Sequence, residues 1–121
     1  MNDLGNIYRI SIIDFLRIDE KTLGNYNSNF ACYTGIVEHS IPLGTSFKYL
    51  YDRTNPSVVL EGSFTIKYIE ILSKPSENLI SGYNAVLFME SNVAFEEISK
   101  TLELNTDGNV SNVHELFNSK P

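Results

Sequence analysis

The sequence predicts an all-β fold, a small closed or partly open antiparallel β-barrel, on three observations. Residues that favour turns recur every few positions through the first ninety residues. The segments between these turns are too short for ordinary helices and are rich in β-branched and aromatic residues. Several segments alternate apolar and polar side chains, which is the period of a half-buried strand. The length of 121 residues is typical of one domain.

The first predicted strand begins near Tyr8 and contains a β-bulge. Tyr8, Ile10 and Ile12 alternate with polar residues, and the apolar positions then change phase to Ile13 and Phe15. Because successive side chains of a strand point to opposite faces, a change of phase by one residue indicates an inserted residue.

The second predicted strand runs from Phe30 to Glu38 and follows a polar surface connection over residues 25–29. Its many apolar residues indicate burial on most of both faces. Cys32 lies in this strand, where we expect a buried, inert thiol rather than a reactive one. Gly35 is expected to let the strand bend, which favours a barrel over a β-sandwich.

Further strands are predicted before residue 91, and one of them changes phase near Ile69, which indicates a second bulge. The glycine that precedes them, Gly44, is expected to give a tight turn its positive φ. The apolar positions on one face of these strands are Phe47, Tyr49 and Tyr51; then Phe64, Ile66 and Tyr68; then Ala85, Leu87 and Met89.

The last thirty-one residues are more acidic than the rest, with two basic and five acidic side chains. Leu102 and Leu104 are candidates for a closing strand. Beyond them, apolar residues at helical spacing predict a short helix, or a tail that orders only on a partner. We therefore assign residues 1–104 to the barrel and residues 105–121 to an acidic C-terminal tail or short helix. The residues at helical spacing are Val110, Val113, Leu116 and Phe117.

The stretch from Thr34 to Phe47 resembles a signature of the second domain of translational GTPases of the elongation factor Tu type. In that signature, a strand that ends in threonine, glycine, any residue and valine turns through a hairpin and reaches a glycine before the next strand. Gly35 and Gly44 hold the two glycine places in this sequence. Ser40 stands where that family commonly has another glycine.

Two further segments extend the resemblance over roughly residues 7 to 104. Residues 69–72 and 82–88 are similar to the later strand pair of that domain, and residues 7–15 to its opening strand. The chain has neither a G-x-x-x-x-G-K-[ST] loop nor an Asn-Lys-x-Asp motif, so we do not expect a GTPase. The resemblance implies a freestanding copy of the barrel, which in the full factors packs on the GTPase domain and helps to hold ribosomal or transfer RNA.

The formal charge of −6 bears on the choice of partner. This charge has the wrong sign for a protein that neutralises phosphates, so RNA is a possible but disfavoured partner. Tyr49 and Tyr51, with Lys48 and Arg53 nearby, would be the platform on which bases stack. An acidic surface is better suited to a protein partner with a basic surface.

No catalytic or metal-binding motif is recognisable, and we expect neither enzymatic activity nor a cofactor. The two histidines, His39 and His114, have no nucleophile at motif spacing, and one cysteine with two distant histidines is a poor ligand set for a metal. An enzymatic alternative would need Glu38, His39 and Asp52 together in one pocket.

The sequence thus predicts a non-enzymatic binding module for a protein or ribonucleoprotein partner. The alternative is a cytosolic immunity protein that neutralises a basic, nuclease-type toxin. The single cysteine and the lack of a recognisable secretion signal favour the cytoplasm, and no apolar run approaches the ~20 residues of a membrane span. The predicted binding residues, on the barrel loops and the acidic surface, are Glu38, His39, Tyr49, Tyr51, Arg53, Glu96 and Glu97.

Overall fold

A computed structural model of the protein describes residues 8–53, 55–101 and 114–118. Most of this part of the chain is strand, as the sequence predicts. In chain order the elements are β1 (Arg9–Leu16), α1 (Glu20–Asn25), β2 (Phe30–Thr34), β3 (Ile41–Pro42), β4 (Ser46–Asp52), β5 (Asn55–Ile71), β6 (Lys74–Ser76), β7 (Asn78–Leu79), β8 (Val86–Ser91), α2 (Phe95–Thr101) and β9 (His114–Phe117).

Six antiparallel strands form a ring of hydrogen bonds. The order is β4–β9–β1–β2–β8–β5, and β5 pairs again with β4. Strand β6 extends the sheet beyond β5, while β3 and β7 form a separate two-stranded sheet. The all-β barrel-like fold predicted from the sequence is therefore confirmed.

The interior of the ring is a single apolar core. Its largest fully buried side chains come from β1, β2, β3, β4, β5, β7 and β8. They include Ile10, Ile12, Phe30, Phe47, Leu50, Phe64, Ile66, Ile69, Leu87 and Met89. Cys32 is also fully buried, so the expectation of a core cysteine is confirmed, and this burial raises the pKa of its thiol to about 12.

Both predicted changes of phase are β-bulges. The register of β1 against β2 shifts between Ile12 and Asp14, and that of β5 against β8 shifts between Ile66 and Tyr68. Two further shifts were not predicted: the register of β4 against β5 shifts between Phe47 and Tyr49, where β5 has the extra residue, and again between Tyr51 and Asp52.

The first of these shifts accompanies a change in the alternation of β4. Phe47 and Leu50 point into the core, whereas Tyr49 and Tyr51 lie on the other face. The prediction that Phe47, Tyr49 and Tyr51 share one face is therefore wrong, because the two faces of β4 exchange between Phe47 and Leu50, where the register against β5 shifts.

Strand β2 is shorter than predicted and is not part of a hairpin with the strand that follows. It ends at Thr34 and pairs with β1 on one side and β8 on the other. Tyr33 is exposed on the outer face, and Ile36 beyond the strand is 67% exposed. The predicted burial of both faces through to Glu38 is wrong at these two residues.

The C-terminal segment 114–118 belongs to the barrel. Strand β9 lies between β1 and β4, with Glu115 opposite both Ser11 and Tyr51, and Leu116 is fully buried. The predicted helix or tail is therefore wrong over His114–Phe117. The predicted closing strand at 102–104 and the proposed boundary after residue 104 lie outside the described residues.

Neither helix was predicted. In α1, the Asp19 carboxylate accepts the N–H of Thr22 at 2.8 Å as an N-cap, and this bond lowers the pKa of Asp19. Helix α1 covers a second apolar cluster on the outside of the sheet, where Leu23 meets Ala31 and Phe88. No helix in residues 8–53, 55–101 or 114–118 is long and apolar enough to cross a membrane.

Three glycines differ in how strictly the backbone requires glycine. Gly44 has a φ of 91°, as expected for its turn. At Gly35 a Cβ would lie 3.7 Å from that of Ser11, an ordinary contact, so this position is not tight. Gly62 is the tight position, because a Cβ there would lie 2.7 Å from Cγ2 of Val93.

Candidate functional site

Four of the eight large apolar side chains that are exposed in the described residues lie together at one end of the barrel. They are Tyr33, Leu72, Ile80 and Tyr83, and we call them the loop-end surface. Leu72 and Tyr83 line two adjoining clefts, Ile80 lines one of these clefts, and Tyr33 lines the other. Contiguous exposed apolar surface is uncommon on monomeric proteins and marks interaction sites.

The two clefts of the loop-end surface differ in their lining. The larger cleft, of about 530 Å³, runs along the β5–β6 hairpin and is mostly apolar apart from Lys74. Among the described residues that line the smaller cleft, of about 330 Å³, Glu70 is the only charged one, and Tyr33 and Tyr83 contribute to the same lining.

Hydrogen bonds between two loops hold Tyr83 at this end of the barrel. The N–H of Val37 donates to the carbonyl of Tyr83 at 3.1 Å, and the N–H of Gly82 donates to the carbonyl of Val37 at 2.8 Å. Below them, Thr34 Oγ1 accepts the N–H of Ala85 at 3.0 Å. These hydrogen bonds connect the loop after β2 to the loop before β8. They thereby fix the backbone at Tyr83.

Leu72 occupies an unfavourable turn in the β5–β6 hairpin. Ile71 pairs with Lys74, and between them Leu72 and Ser73 have φ values of 53° and 65°. Two successive positive φ values are typical of a type I′ turn, which favours asparagine followed by glycine. A bulky L-residue in this region costs on the order of 1 kcal/mol. Leu72 is also 77% exposed, and a strained apolar residue in water is more typical of a functional site than of a stable turn.

Glu70 lies on the outer face of β5, in one row with Val86 of β8 and Tyr33 of β2. The Tyr68 hydroxyl donates a hydrogen bond to Oε2 of Glu70 at 3.0 Å. Burial raises the pKa of Tyr68, and this hydrogen bond raises it further. Among the described residues, no lysine or arginine lies within ion-pairing distance of Glu70.

A second carboxylate, Glu115 of β9, is surrounded by donors and cations. The Tyr51 hydroxyl donates to its Oε2 at 2.7 Å and the Ser11 hydroxyl to its Oε1 at 3.3 Å. The Nε atoms of Arg9 and Arg53 lie 3.6 and 3.7 Å from the two carboxylate oxygens. We call these five residues the Glu115 cluster, in which Glu115 itself is only 4% exposed.

Aromatic contacts complete the Glu115 cluster. The guanidinium of Arg9 lies 4.9 Å from the centre of the Phe117 ring, and the Tyr51 ring meets Phe117 edge to face. Burial raises the pKa of Tyr51, and its hydrogen bond to Glu115 raises it further. The cluster connects β9 to both neighbouring strands. Arg9 and Ser11 lie in β1, Tyr51 lies in β4, and Arg53 lies in the turn after β4.

The structure brings two of the predicted binding residues together. Glu38 and Arg53 both line a small cleft beside the Glu115 cluster. His39 is exposed in the loop before β3, Asp52 is buried on β4, and neither lines that cleft. Of the three residues of the enzymatic alternative, Glu38 alone lines this cleft. Within the described part of the chain, no group of His, Cys, Asp and Glu side chains is placed to hold a metal ion.

The two predicted stacking tyrosines differ in their surroundings. Tyr51 is buried, with its hydroxyl on Glu115 and its ring on Phe117, so it presents no open face to a base. Tyr49 is half-buried and lies opposite Phe117. The pair is therefore not the open platform that stacking on single-stranded RNA needs.

The predicted acidic residues Glu96 and Glu97 lie elsewhere. Both are exposed in the first turn of α2. This helix packs through Phe95 on Phe15, which lies near the other end of β1 from the Glu115 cluster. The structure thus does not join these two glutamates to the cleft beside that cluster.

Sequence reasoning missed the loop-end surface. Tyr33 was assigned to a strand buried on both faces, and Leu72 and Tyr83 were noted only within the segments that resemble the elongation factor domain. One local signal was present: the sequence Leu72-Ser73-Lys74-Pro75 follows an alternating strand, and a leucine is unusual in such a turn. Comparisons with protein families, with curated proteins and with solved structures find no match for this chain.

Proposed function

We propose that this chain is a non-enzymatic binding module that holds a protein partner with a basic surface. The observation that carries the proposal is the loop-end surface, where four large apolar side chains are exposed side by side. The centres of protein interfaces are rich in tyrosine and other large apolar residues. The formal charge of −6 favours a basic partner, because complementary charges accelerate association.

The conformation of Leu72 supports a binding role. Its positive φ and the exposure of its apolar side chain to water are both unfavourable in the isolated chain. Contact with a partner would remove the cost of exposure. A hairpin selected for stability alone would have a different residue at this position.

The resemblance to the second domain of elongation factor Tu also supports binding rather than catalysis. The ring of antiparallel strands and the positive φ of Gly44 are compatible with such a barrel. The connection between β2 and β3 departs from the hairpin of that signature. In the full factors the barrel acts by holding other molecules, and RNA is the less favoured partner here because of the acidic charge.

Selection of random peptides displayed on phage tests the proposal. We expect enrichment of peptides that combine basic and apolar residues, and loss of their binding when Leu72→Ser and Tyr83→Ser are combined. Leu43→Ser is the matched control, since Leu43 and Tyr83 are both 43% exposed and Leu43 lines neither cleft. Failure to enrich any peptide, or binding that survives the double substitution, would refute the proposal.

A second candidate function is that of an immunity protein, which the acidic charge favours. Such a protein covers a basic nuclease toxin, and its surface needs no catalytic group. A neighbouring gene for a large secreted protein with a basic C-terminal toxin domain would support this candidate. Cells that make such a toxin should survive only if they also make this chain, and unchanged killing would eliminate the candidate.

A further inference from the structure

We propose that the smaller cleft of the loop-end surface binds an arginine side chain of the protein partner, through Glu70 and the rings of Tyr33 and Tyr83. This inference rests on the proposed function and names the group that is recognised. All three side chains line one cleft of about 330 Å³, and Glu70 is the only charged side chain that the described residues contribute to it.

The Glu115 cluster shows how this chain compensates a carboxylate on the outer face of the barrel. A tyrosine hydroxyl donates to one oxygen, and arginine supplies the opposite charge. The same arginine, Arg9, lies 4.9 Å from the centre of the Phe117 ring. One guanidinium therefore contacts a carboxylate and an aromatic ring at once, which is a favourable combination of ion pairing and cation–π attraction.

Glu70 has the first part of this arrangement and lacks the second. The Tyr68 hydroxyl donates to Oε2 at 3.0 Å, which leaves Oε1 able to accept from a further donor. The part of the chain that the structure describes places no arginine or lysine beside this carboxylate. A cation that enters the cleft would therefore meet a negative charge that nothing in those residues neutralises.

The aromatic residues of the cleft favour a guanidinium over an ammonium group. Tyr33 and Tyr83 are both partly exposed and line the cleft that contains Glu70. A guanidinium is planar, is weakly hydrated, stacks on aromatic rings and presents a fork of donors to a carboxylate. An ammonium group is more strongly hydrated and makes point contacts only, so lysine should bind more weakly.

The adjoining larger cleft indicates what lies next to the arginine. Leu72 is shared by both clefts, and Ile71 and Ile80 contribute further apolar surface to the larger one. We therefore expect a partner segment in which an arginine lies beside an apolar residue. Such a segment would fill both clefts and cover the exposed side chain of Leu72.

Binding of a small arginine probe tests the inference without the natural partner. The probe is acetyl-leucyl-arginyl-leucinamide, and the comparison probe replaces arginine by citrulline, which has nearly the same shape and no charge. Backbone amide shifts in heteronuclear NMR report both the affinity and the site. We expect the arginine probe to shift the amides of Tyr33, Glu70 and Tyr83, and the citrulline probe to bind at least tenfold more weakly.

Substitution of Glu70 by glutamine removes the charge but keeps an oxygen that can accept from Tyr68. We expect Glu70→Gln to lower the affinity for the arginine probe to that for the citrulline probe. Glu77→Gln is the matched control, because Glu77 is exposed and does not line the cleft, and it should leave the affinity unchanged. Equal thermal midpoints for both variants would exclude a folding defect.

Three results would overturn the inference: equal binding of the two probes, an unchanged affinity in Glu70→Gln, or tighter binding of the corresponding lysine probe. These results are distinguishable from failure of the proposed function. Displayed peptides could still bind through Leu72 and Tyr83 while the arginine probe fails to bind. The loop-end surface would then bind a partner, but Glu70 would not bind an arginine side chain of that partner.

Discussion

Glu115 and Glu70 are both carboxylates on the outer face of the barrel, and each accepts a hydrogen bond from a tyrosine hydroxyl. They differ in what else surrounds them. Glu115 has two arginines and a serine, whereas the described residues place no cation at Glu70. The same pair of residue types thus stabilises the ring where two arginines supply the counter-charge, and keeps a carboxylate oxygen available to a further donor where the described residues supply none.

The positions of the two carboxylates agree with this difference. Glu115 lies in the middle of the strand that joins β1 to β4, and it is almost fully buried. Glu70 lies near the end of β5, two residues before the strained turn at Leu72. A complete polar cluster therefore lies where the ring must stay closed, and an incomplete one lies beside the exposed apolar residues.

The largest effect should follow from removal of β9. A chain that ends after residue 113 loses the Glu115 cluster and the fully buried Leu116, and the ring of six strands is opened. Loss of one buried leucine side chain alone costs about 2–5 kcal/mol, against a total stability of about 5–15 kcal/mol for a typical domain. We expect no cooperative thermal transition by circular dichroism.

A chain that lacks only residues 119–121 is the control for this truncation and should melt as the full chain does. Cooperative unfolding of the chain that ends after residue 113, at an unchanged midpoint, would show that β9 contributes nothing to the closed ring.

Removal of each carboxylate charge tests the comparison directly. Glu115→Gln should lower the free energy of unfolding by about 1–3 kcal/mol, because it puts an amide in a buried site built around an anion. Glu70→Gln should change it by less than about 0.5 kcal/mol, because no cation in the described residues depends on that charge. Urea unfolding of both variants at neutral pH measures the two effects, and equal losses would contradict the difference described above.

A smaller effect, of opposite sign, is expected at the turn. Leu72→Asn combined with Ser73→Gly supplies the residues that a type I′ turn favours, and should raise the free energy of unfolding by about 1 kcal/mol. The same change should weaken binding of displayed peptides, since it removes an exposed leucine. A loss of stability in urea would show that the strain at Leu72 is not relieved by these residues.

The smallest effects concern alkaline pH. The pKa values of Tyr51 and Tyr68 are raised, so the folded state favours their neutral forms. The contribution of these two tyrosines to the free energy of unfolding is fully present below the ordinary tyrosine pKa near 10. It is lost as the pH rises through the pKa values that the tyrosines have in the folded chain. The pKa of Cys32 is raised as well, so its thiol adds to the decline of the free energy of unfolding once the pH exceeds 9.0, the ordinary pKa of a cysteine.

The substitutions Tyr51→Phe and Tyr68→Phe should therefore each make the decline of stability with pH less steep. Unfolding in urea at a series of pH values between about 8 and 12 measures the slopes. Substitutions that steepen the decline, or leave it as it is, would show that neither phenol titrates differently in the folded chain.

Much of the barrel could be predicted because the alternation of apolar and polar residues shows which face of each strand is buried. The bulges after Ile12 and before Ile69 appear in the sequence as displaced apolar positions, and both are present. The register shift between β4 and β5 near Tyr49 could not be found in this way. Three aromatic residues at period two, ending at Tyr51, fit a regular strand, and only packing shows that Leu50 takes the interior position.

Strand β9 was missed for a related reason. Four residues are too few to separate the period of a strand from that of a helix, and Leu116 and Phe117 satisfy either pattern. The pairing partners that decide the matter, in β1 and β4, are far away in the sequence.

The candidate site was only partly visible in the sequence. Glu38 was identified as a charged residue at a predicted hairpin and Arg53 as a cation beside two tyrosines, and both line one cleft. Exposure of Tyr33 could not be predicted, because it depends on where α1 ends. Leu23 of the helix packs with Ala31 and Phe88, whereas Tyr33, in the next row of the sheet, is exposed.

The join between β9 and β1 constrains how the chain is made. Ser11 and Glu115 are 104 residues apart in the sequence, so this join cannot form until almost all of those residues have left the ribosome. Until then, β1 and β4 each lack the partner that β9 supplies, and an unpaired strand edge is one with which another chain can pair. A newly made molecule therefore closes its cylinder only after residues 114–117 have emerged.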